Sequence, residues 1–353
     1  PPLSLIKKQV RESKVYMLPD IDYRVKVNQN ENPRDLPESV KREVTDALLT
    51  RRWNRYPGLT SPEIRTQIGK TFDLSMEKVA VGNGSNEIML ATMQMLLGEG
   101  WRLLTIEPTF SLYRHYGELL GADVTVIPLK ERFAFPVDEL IEMAAGDDVP
   151  LTILCSPNNP TGNTIAQEDL KQLLSAANGY VLVDEAYVDF SDQEFFPLLG
   201  EFPNLILTRT FSKAFAFGFG RFGYVLASPE YVNELYKVLL PYNLGGLTGV
   251  AASILLEKRN QLQPLIQDLR TQRESFFREL ASLRGITAFP SEANYILIRP
   301  EMSADVLFEA LLDTRILVRN VSHYPGLGNH LRISVGTQKE NRVIIDAMKS
   351  ILS

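Results

Sequence analysis

The feature that most constrains the fold is an alternation along residues 79–227. Short apolar runs recur at 79–81, 103–106, 124–127, 151–155, 181–183, 205–207 and 224–227. Between several of them lie stretches of helical period, one reaching Leu97 and others at 109–120, 138–145 and 167–177. Runs this short and apolar throughout suit strands buried on both faces, and the helices between them suit crossovers. The expected class is therefore α/β, with a mainly parallel sheet covered on both sides.

The texture changes after the helical stretches 231–240 and 249–257. A charged amphipathic helix is expected from about 263 to 283, ending at Gly285. Strands at 294–298, 316–319 and 331–335 and a closing helix at 340–352 read as a smaller α+β domain. At the other end, residues 1–22 look like an arm with one amphipathic piece at 5–10, followed by a short strand at 23–27. Turn chemistry follows in Asn28-Gln29-Asn30-Glu31-Asn32-Pro33, then helices at 39–49 and 61–72. With 353 residues, 44% of them apolar, the chain supports a large domain at 53–263 and a small C-terminal one at 264–353. Residues 1–52 supply the arm and part of the small domain.

Charge and composition narrow the function. A net charge of −6 without a Lys/Arg run argues against nucleic acid as a partner. No apolar run approaches the roughly 18 residues of a membrane span, and no signal-peptide core stands at the start. A lone cysteine, Cys155, fits a reduced, cytoplasmic setting. The three histidines lack metal-ligand spacing, so no metal is expected.

Ligands of open α/β sheets sit at the carboxyl ends of strands. The loops there are Gly82-Asn83-Gly84-Ser85-Asn86, Glu107-Pro108-Thr109-Phe110, Ser156-Pro157-Asn158-Asn159-Pro160-Thr161-Gly162, Asp184-Glu185-Ala186-Tyr187 and the stretch around Lys213. The first reads as a phosphate cradle or as a plainly capped helix. Lys213 lies among aromatics in Thr210-Phe211-Ser212-Lys213-Ala214-Phe215, where desolvation favours the neutral, nucleophilic amine. Thr210 and Ser212 flank it with hydroxyls, and Arg221 follows among glycines, a set suited to a phosphate. Amine, carboxylate, phenol, amide, aromatic face and cradle together meet the needs of pyridoxal 5'-phosphate (PLP).

Those motifs, with Asn30-Glu31-Asn32-Pro33, Arg55-Tyr56-Pro57, Tyr324-Pro325-Gly326 and Leu331-Arg332-Ile333-Ser334, run nearly end to end. The chain resembles the fold type I PLP-dependent aminotransferases, and within them the histidinol-phosphate aminotransferases. The resemblance implies a large domain with a mainly parallel seven-stranded sheet, a small α+β domain and a homodimer with a shared active site. Lys213 resembles the Schiff-base lysine and proton shuttle, and Asp184 the partner of the pyridine nitrogen. Asn159 and Tyr187 resemble donors to the ring's phenolate oxygen, and Phe110 the stacking aromatic, with Tyr113 as the alternative. Gly84, Ser85, Asn86, Thr210, Ser212 and Arg221 resemble the phosphate shell. Tyr56 resembles a tyrosine reaching the neighbouring subunit's cofactor; packing is its competing reading.

Arg332 resembles the arginine that clamps a carboxylate, and Arg319 and Tyr16 the extra contacts that histidinol phosphate requires. Arg319 reads equally as a solvated charge. The implied reaction is ping-pong transfer from L-histidinol phosphate to 2-oxoglutarate, giving imidazole-acetol phosphate and L-glutamate in histidine biosynthesis. Rival readings are an aromatic amino acid aminotransferase, a decarboxylase of the threonine-phosphate type, and a PLP-sensing regulator domain, which would need an added basic segment. Two departures stand out: Gly218-Phe219-Gly220 where Ala-Gly-Leu is usual, and Asn86 where an aspartate is usual.

Overall fold

A computed structural model describes residues 2–13 and 21–353. Seven of its strands make one large sheet: β2 (Val79–Gly82), β3 (Arg102–Glu107), β4 (Asp123–Pro128), β5 (Leu151–Cys155), β6 (Tyr180–Asp184), β7 (Leu205–Thr210) and β8 (Gly223–Leu226). Their spatial order is β2-β8-β7-β6-β5-β3-β4. All neighbouring pairs are parallel except the two that β8 makes.

The strands are buried on both faces, as their composition requires. Leu104, Leu154, Val183 and Leu207 enter one hydrophobic cluster, while their neighbours Leu103, Ile153, Leu182 and Ile206 enter the other. Period-2 alternation thus divides one apolar run between two helix layers. At roughly 25 cal/mol per Å² of apolar burial, such residues dominate the stability of the sheet.

The rest of the chain builds a second cluster of strands. A four-stranded antiparallel sheet has the order β12-β13-β10-β9. Its members are β9 (Ile286–Phe289), β10 (Tyr295–Pro300), β12 (Arg319–Asn320) and β13 (Leu331–Ser334). Beside it β1 (Val25–Lys26) pairs in parallel with β11 (Ile316–Leu317), so the N-terminal segment packs with the C-terminal part of the chain.

Several expected bounds shift. The strand expected at 316–319 is two strands, because the chain changes partner at buried Val318: Ile316 and Leu317 face β1, Arg319 and Asn320 face β13. The helix expected from 109 begins at Leu112, after the turn that carries Phe110. Apart from short 3₁₀ turns, two elements go beyond the expectation, β9 and the helix Ala304–Asp313. That helix has a readable buried stripe, Ala304, Leu307 and Leu311. By contrast β9 is short and largely half-buried, with no continuous apolar run to announce it.

Candidate active site

Three parallel strands at the middle of the large sheet end side by side. In register, Cys155 faces Asp184 and Asp184 faces Thr208. The loop after β5, the carboxylate on β6 and the Lys213 loop after β7 are therefore brought together.

The candidate phosphate cradle lies where β2 meets the helix Ser85–Leu96. Gly84 caps that helix with a φ of 86°, a left-handed conformation suited to glycine. A Cβ there would sit 2.7 Å from Arg221 Nη2, and one at Gly223 would sit 2.2 Å from the Ser85 amide nitrogen. Glycine at both positions lets the guanidinium and the helix start converge. The amides of Ser85 and Asn86 find no acceptor among the described residues. First-turn amides attract an anion, helped by the helix dipole. Arg221 Nη1 donates to Ser212 Oγ at 3.0 Å, which aims that hydroxyl at the same corner. Thr210 Oγ1 accepts from the Ser212 amide at 3.1 Å and lies 3.1 Å from the Phe222 carbonyl. It therefore shapes the loop that presents Ser212.

Lys213 is half-buried, and its Nζ donates to the Gln29 carbonyl at 2.9 Å. Desolvation, followed by the nearby Arg332 cation, lowers its pKa to about 8. The chain thus holds an amine of which a sizeable minority is neutral near physiological pH, far more than for an ordinary lysine. Its Nζ lies 5.9 Å from the centre of the Tyr187 ring.

Asp184 is buried. Burial raises its pKa, while hydrogen bonds from Tyr113, the Ala186 amide and Thr208 work the other way. Tyr113 Oη donates to Asp184 Oδ2 at 2.7 Å, and the Ala186 N–H lies 3.2 Å from Oδ1. This places Tyr113, the alternative to Phe110, in another role: it is fully buried and bound to the carboxylate. Phe110 lies against it edge-on, with ring centres 5.5 Å apart, and remains half-buried.

Arg332 reaches in from β13. Its Nη1 donates to Asn159 Oδ1 at 2.5 Å and its Nη2 to the Asn28 carbonyl at 2.7 Å. Arg332 Nε, although buried, has no hydrogen-bond partner. Arg319 of β12 is its direct register partner. Opposed residues of an antiparallel pair point to the same face, with Cβ atoms about 5 Å apart. Neither guanidinium meets a carboxylate among the described residues.

Tyr56 stands apart from this cluster. It is 81% exposed and stacks on Tyr242 at 4.7 Å. Tyr16 lies outside the described residues. The sequence reading also left several contributors without a role. Asn28 and Gln29 offer backbone carbonyls, Asn30 contacts Tyr187, and Asn158 ties its loop to Thr109 and Tyr295. The polar run at 28–32 was the available signal for the first three.

The family model for class I and II aminotransferases matches residues 24–348. This chain belongs to that family. A histidinol-phosphate aminotransferase from Chlorobium phaeovibrioides is 36% identical over 328 residues, spanning 93% of this chain and 91% of that protein. Among solved structures, the histidinol-phosphate aminotransferase of Sinorhizobium meliloti in complex with pyridoxal-5'-phosphate superposes with a TM-score of 0.89. It is 19% identical, covering 99% of this chain and 98% of that one. The L-threonine-O-3-phosphate decarboxylase of Porphyromonas gingivalis gives a TM-score of 0.81 at 22% identity, covering 93% and 99%. The aminotransferase fold is shared by both, so the choice of substrate rests on side chains. Among the described residues of this aminotransferase, no helix is long and apolar enough to cross a membrane, and no cluster of three His, Cys, Asp or Glu could hold a metal.

Proposed function

We propose that this aminotransferase uses PLP to move the amino group of L-histidinol phosphate to 2-oxoglutarate, yielding imidazole-acetol phosphate and L-glutamate. The residues present fit the cofactor. The amides of Ser85 and Asn86, the Ser212 hydroxyl and Arg221 would hold its phosphate. Asp184 would face the ring nitrogen, Phe110 the ring face, and Asn159 and Tyr187 the ring oxygen. When bound, PLP supplies an electron sink for the bond broken at the amine-bearing carbon. Lys213, as a neutral amine, would take the proton from that carbon and deliver it to the cofactor's former aldehyde carbon, two bonds away across the nitrogen. Asp184 would keep the ring nitrogen protonated, and Arg332 would hold an anionic group of each substrate in turn, which suits a ping-pong sequence.

The observation that carries the substrate assignment is the Arg319–Arg332 register pair. Two cations on one face repel unless an anion lies between them. A phosphate ester with two charges satisfies both, and 2-oxoglutarate brings a carboxylate to the same corner. A panel comparing histidinol phosphate with phenylalanine, tyrosine and glutamate tests this. Histidinol phosphate should give the highest kcat/KM, with glutamate formed from 2-oxoglutarate. Release of carbon dioxide instead would select the decarboxylase reading, and preference for phenylalanine the aromatic one.

The arginine pair makes a sharper prediction. A charge-assisted hydrogen bond contributes about 1.5–3 kcal/mol, so Arg319→Leu should cost roughly tenfold to a hundredfold in kcat/KM for histidinol phosphate. Phenylalanine, held by Arg332 alone, should lose much less, whereas Arg332→Leu should injure both donors and 2-oxoglutarate. Equal losses for the two donors in Arg319→Leu would remove Arg319 from phosphate recognition.

The amine of Lys213 predicts a pH profile. The cofactor-free protein should take up PLP at a rate that rises about tenfold per pH unit below 8 and levels above it, because only the neutral amine attacks. A rate still climbing at that slope up to about pH 10 would mean an ordinary lysine.

We also assign a homodimer. Trp53, Tyr56, Leu59, Phe219, Leu240 and Leu247 are exposed large apolar residues. Contacts join their neighbourhoods: Tyr56 stacks on Tyr242, and Thr248 bonds the Gly220 carbonyl at 2.9 Å. Such a patch beside the Lys213 loop suits a partner subunit, with Tyr56 reaching across.

A further inference from the structure

The run Asn28-Gln29-Asn30-Glu31-Asn32 crosses the site and makes contact with three of its functional side chains. Asn28 offers a carbonyl to Arg332, Gln29 offers one to Lys213, and Asn30 turns its side chain to Tyr187. Asn30 is 1% exposed, with a φ of 55°, a left-handed conformation that asparagine tolerates better than most residues. Its backbone N–H donates to Ser334 Oγ at 2.9 Å. That leaves the serine's own proton for Asn30 Oδ1, also at 2.9 Å. The amide oxygen is thereby fixed toward Ser334, and the NH₂ group must face the other way. It donates to Tyr187 Oη at 2.9 Å. The Asn30 carbonyl accepts from Asn294 Nδ2 at 3.0 Å, so the residue is pinned at every polar group.

A neutral phenol has one proton to give. With the Asn30 amide donating to the Tyr187 oxygen, the phenolic proton cannot turn toward Asn30. Among the described residues no acceptor for it is present. We propose that Asn30 is a positioning residue: it fixes the direction of the Tyr187 hydroxyl, so that the phenol donates its proton into the cofactor site. The proposal rests on the reading of this aminotransferase as a PLP enzyme, in which the ring oxygen is the acceptor. The charged and titratable groups around Tyr187 are Arg332 from β13, Cys155 from β5, Asp184 from β6 and Lys213. The Tyr295 ring stands edge-on at 5.2 Å. Burial raises the Tyr187 pKa, ahead of the opposing effects of Arg332 and Asn30, so the phenol keeps its proton for donation.

The test is a pH titration of the visible absorption band of the PLP-loaded protein. Donors to the ring oxygen favour its anion, so losing one raises the apparent pKa of the band. Asn30→Gly accepts the left-handed backbone and removes the amide donor. Asn30→Asp keeps the shape and the acceptor for Ser334, but replaces the donor by a carboxylate that draws the Tyr187 proton to itself. We expect a rise of about one pH unit in Asn30→Gly, a larger one in Asn30→Asp, and a comparable rise in Tyr187→Phe. Adding Asn30→Gly to Tyr187→Phe should shift the band by less than about 0.3 unit further, because the Asn30 amide acts through the missing hydroxyl. A merely structural asparagine would lower thermal stability without this dependence on Tyr187.

A wild-type titration in both Asn30 variants, or an Asn30→Gly shift that adds fully to that of Tyr187→Phe, would overturn the proposal. Should the glycine variant not fold, Asn30→Ala, which likewise removes the amide donor without adding a charge, carries the same decision. A wild-type protein that takes up no PLP and shows no band would sink the cofactor reading and this inference with it. A normal wild-type band with insensitive Asn30 variants would sink the inference alone.

Discussion

Replacing Lys213 by alanine is expected to lower turnover by about four orders of magnitude, the upper end of what one positioned proton-transfer group contributes. The reason lies in how the chain prepares the amine. Its pKa is lowered to about 8 by desolvation and by Arg332, and its Nζ is steered by the Gln29 carbonyl. The phosphate cradle does not depend on Lys213. Arg221, Ser212 and the first amides of the helix Ser85–Leu96 stay in place, so weak PLP binding should survive. Single-turnover mixing with the amine donor, followed by absorbance, separates the two properties. Turnover within tenfold of wild type would reject the role of Lys213.

Asp184→Asn should have the next largest effect, a loss of about 10²–10³ in kcat, or roughly 2.7–4 kcal/mol of transition-state stabilisation. The substitution keeps the size of the side chain and an oxygen that can accept from Tyr113, but removes the charge. Burial already raises the Asp184 pKa, and the Tyr113, Ala186 and Thr208 hydrogen bonds oppose that rise. A protonated ring nitrogen beside the carboxylate would stabilise its charged form further. With asparagine that cation loses its partner, and the ring is a poorer electron sink. Steady-state kinetics with the best amine donor reads the effect, and a loss below about fivefold would show that the charge of Asp184 is not used.

The residues that announce chemistry in the sequence do so because ionisable groups are costly to place in apolar surroundings without a purpose. Lys213 among phenylalanines, Asp184 at the end of an apolar run and Arg332 within another are of this kind. The buried strands were legible for a related reason, since runs such as 151–155 leave few alternatives to a doubly covered strand. What the sequence hides is pairing at a distance. Tyr113 falls at a helical spacing that reads as core or as a stacking ring, and nothing local says that its hydroxyl meets a carboxylate 71 positions later. Asn30 reads as turn chemistry, although its amide serves a tyrosine 157 positions away. The split of 316–319 was equally invisible, because the change of partner at Val318 depends on where β1 and β13 lie.

The union of β1 with the C-terminal part of the chain sets when the active centre can exist during synthesis. The Ser334 N–H donates to the Val27 carbonyl at 2.9 Å, and Arg332 and Ser334 hold Asn28 and Asn30 across 304 positions of sequence. At ribosomal speeds of about 5–20 residues per second, the two sides of that corner emerge roughly 15–60 s apart. The large sheet needs neither side for its own strand pairing and can consolidate first. Such long-range closure is slow and comes late, because the entropy of bringing the ends together is lost before any contact compensates for it. Until β13 has left the ribosome, a nascent chain has the cradle and the lysine but not the substrate clamp. Competence for amino transfer therefore arises in one late docking event, after β13 has been made.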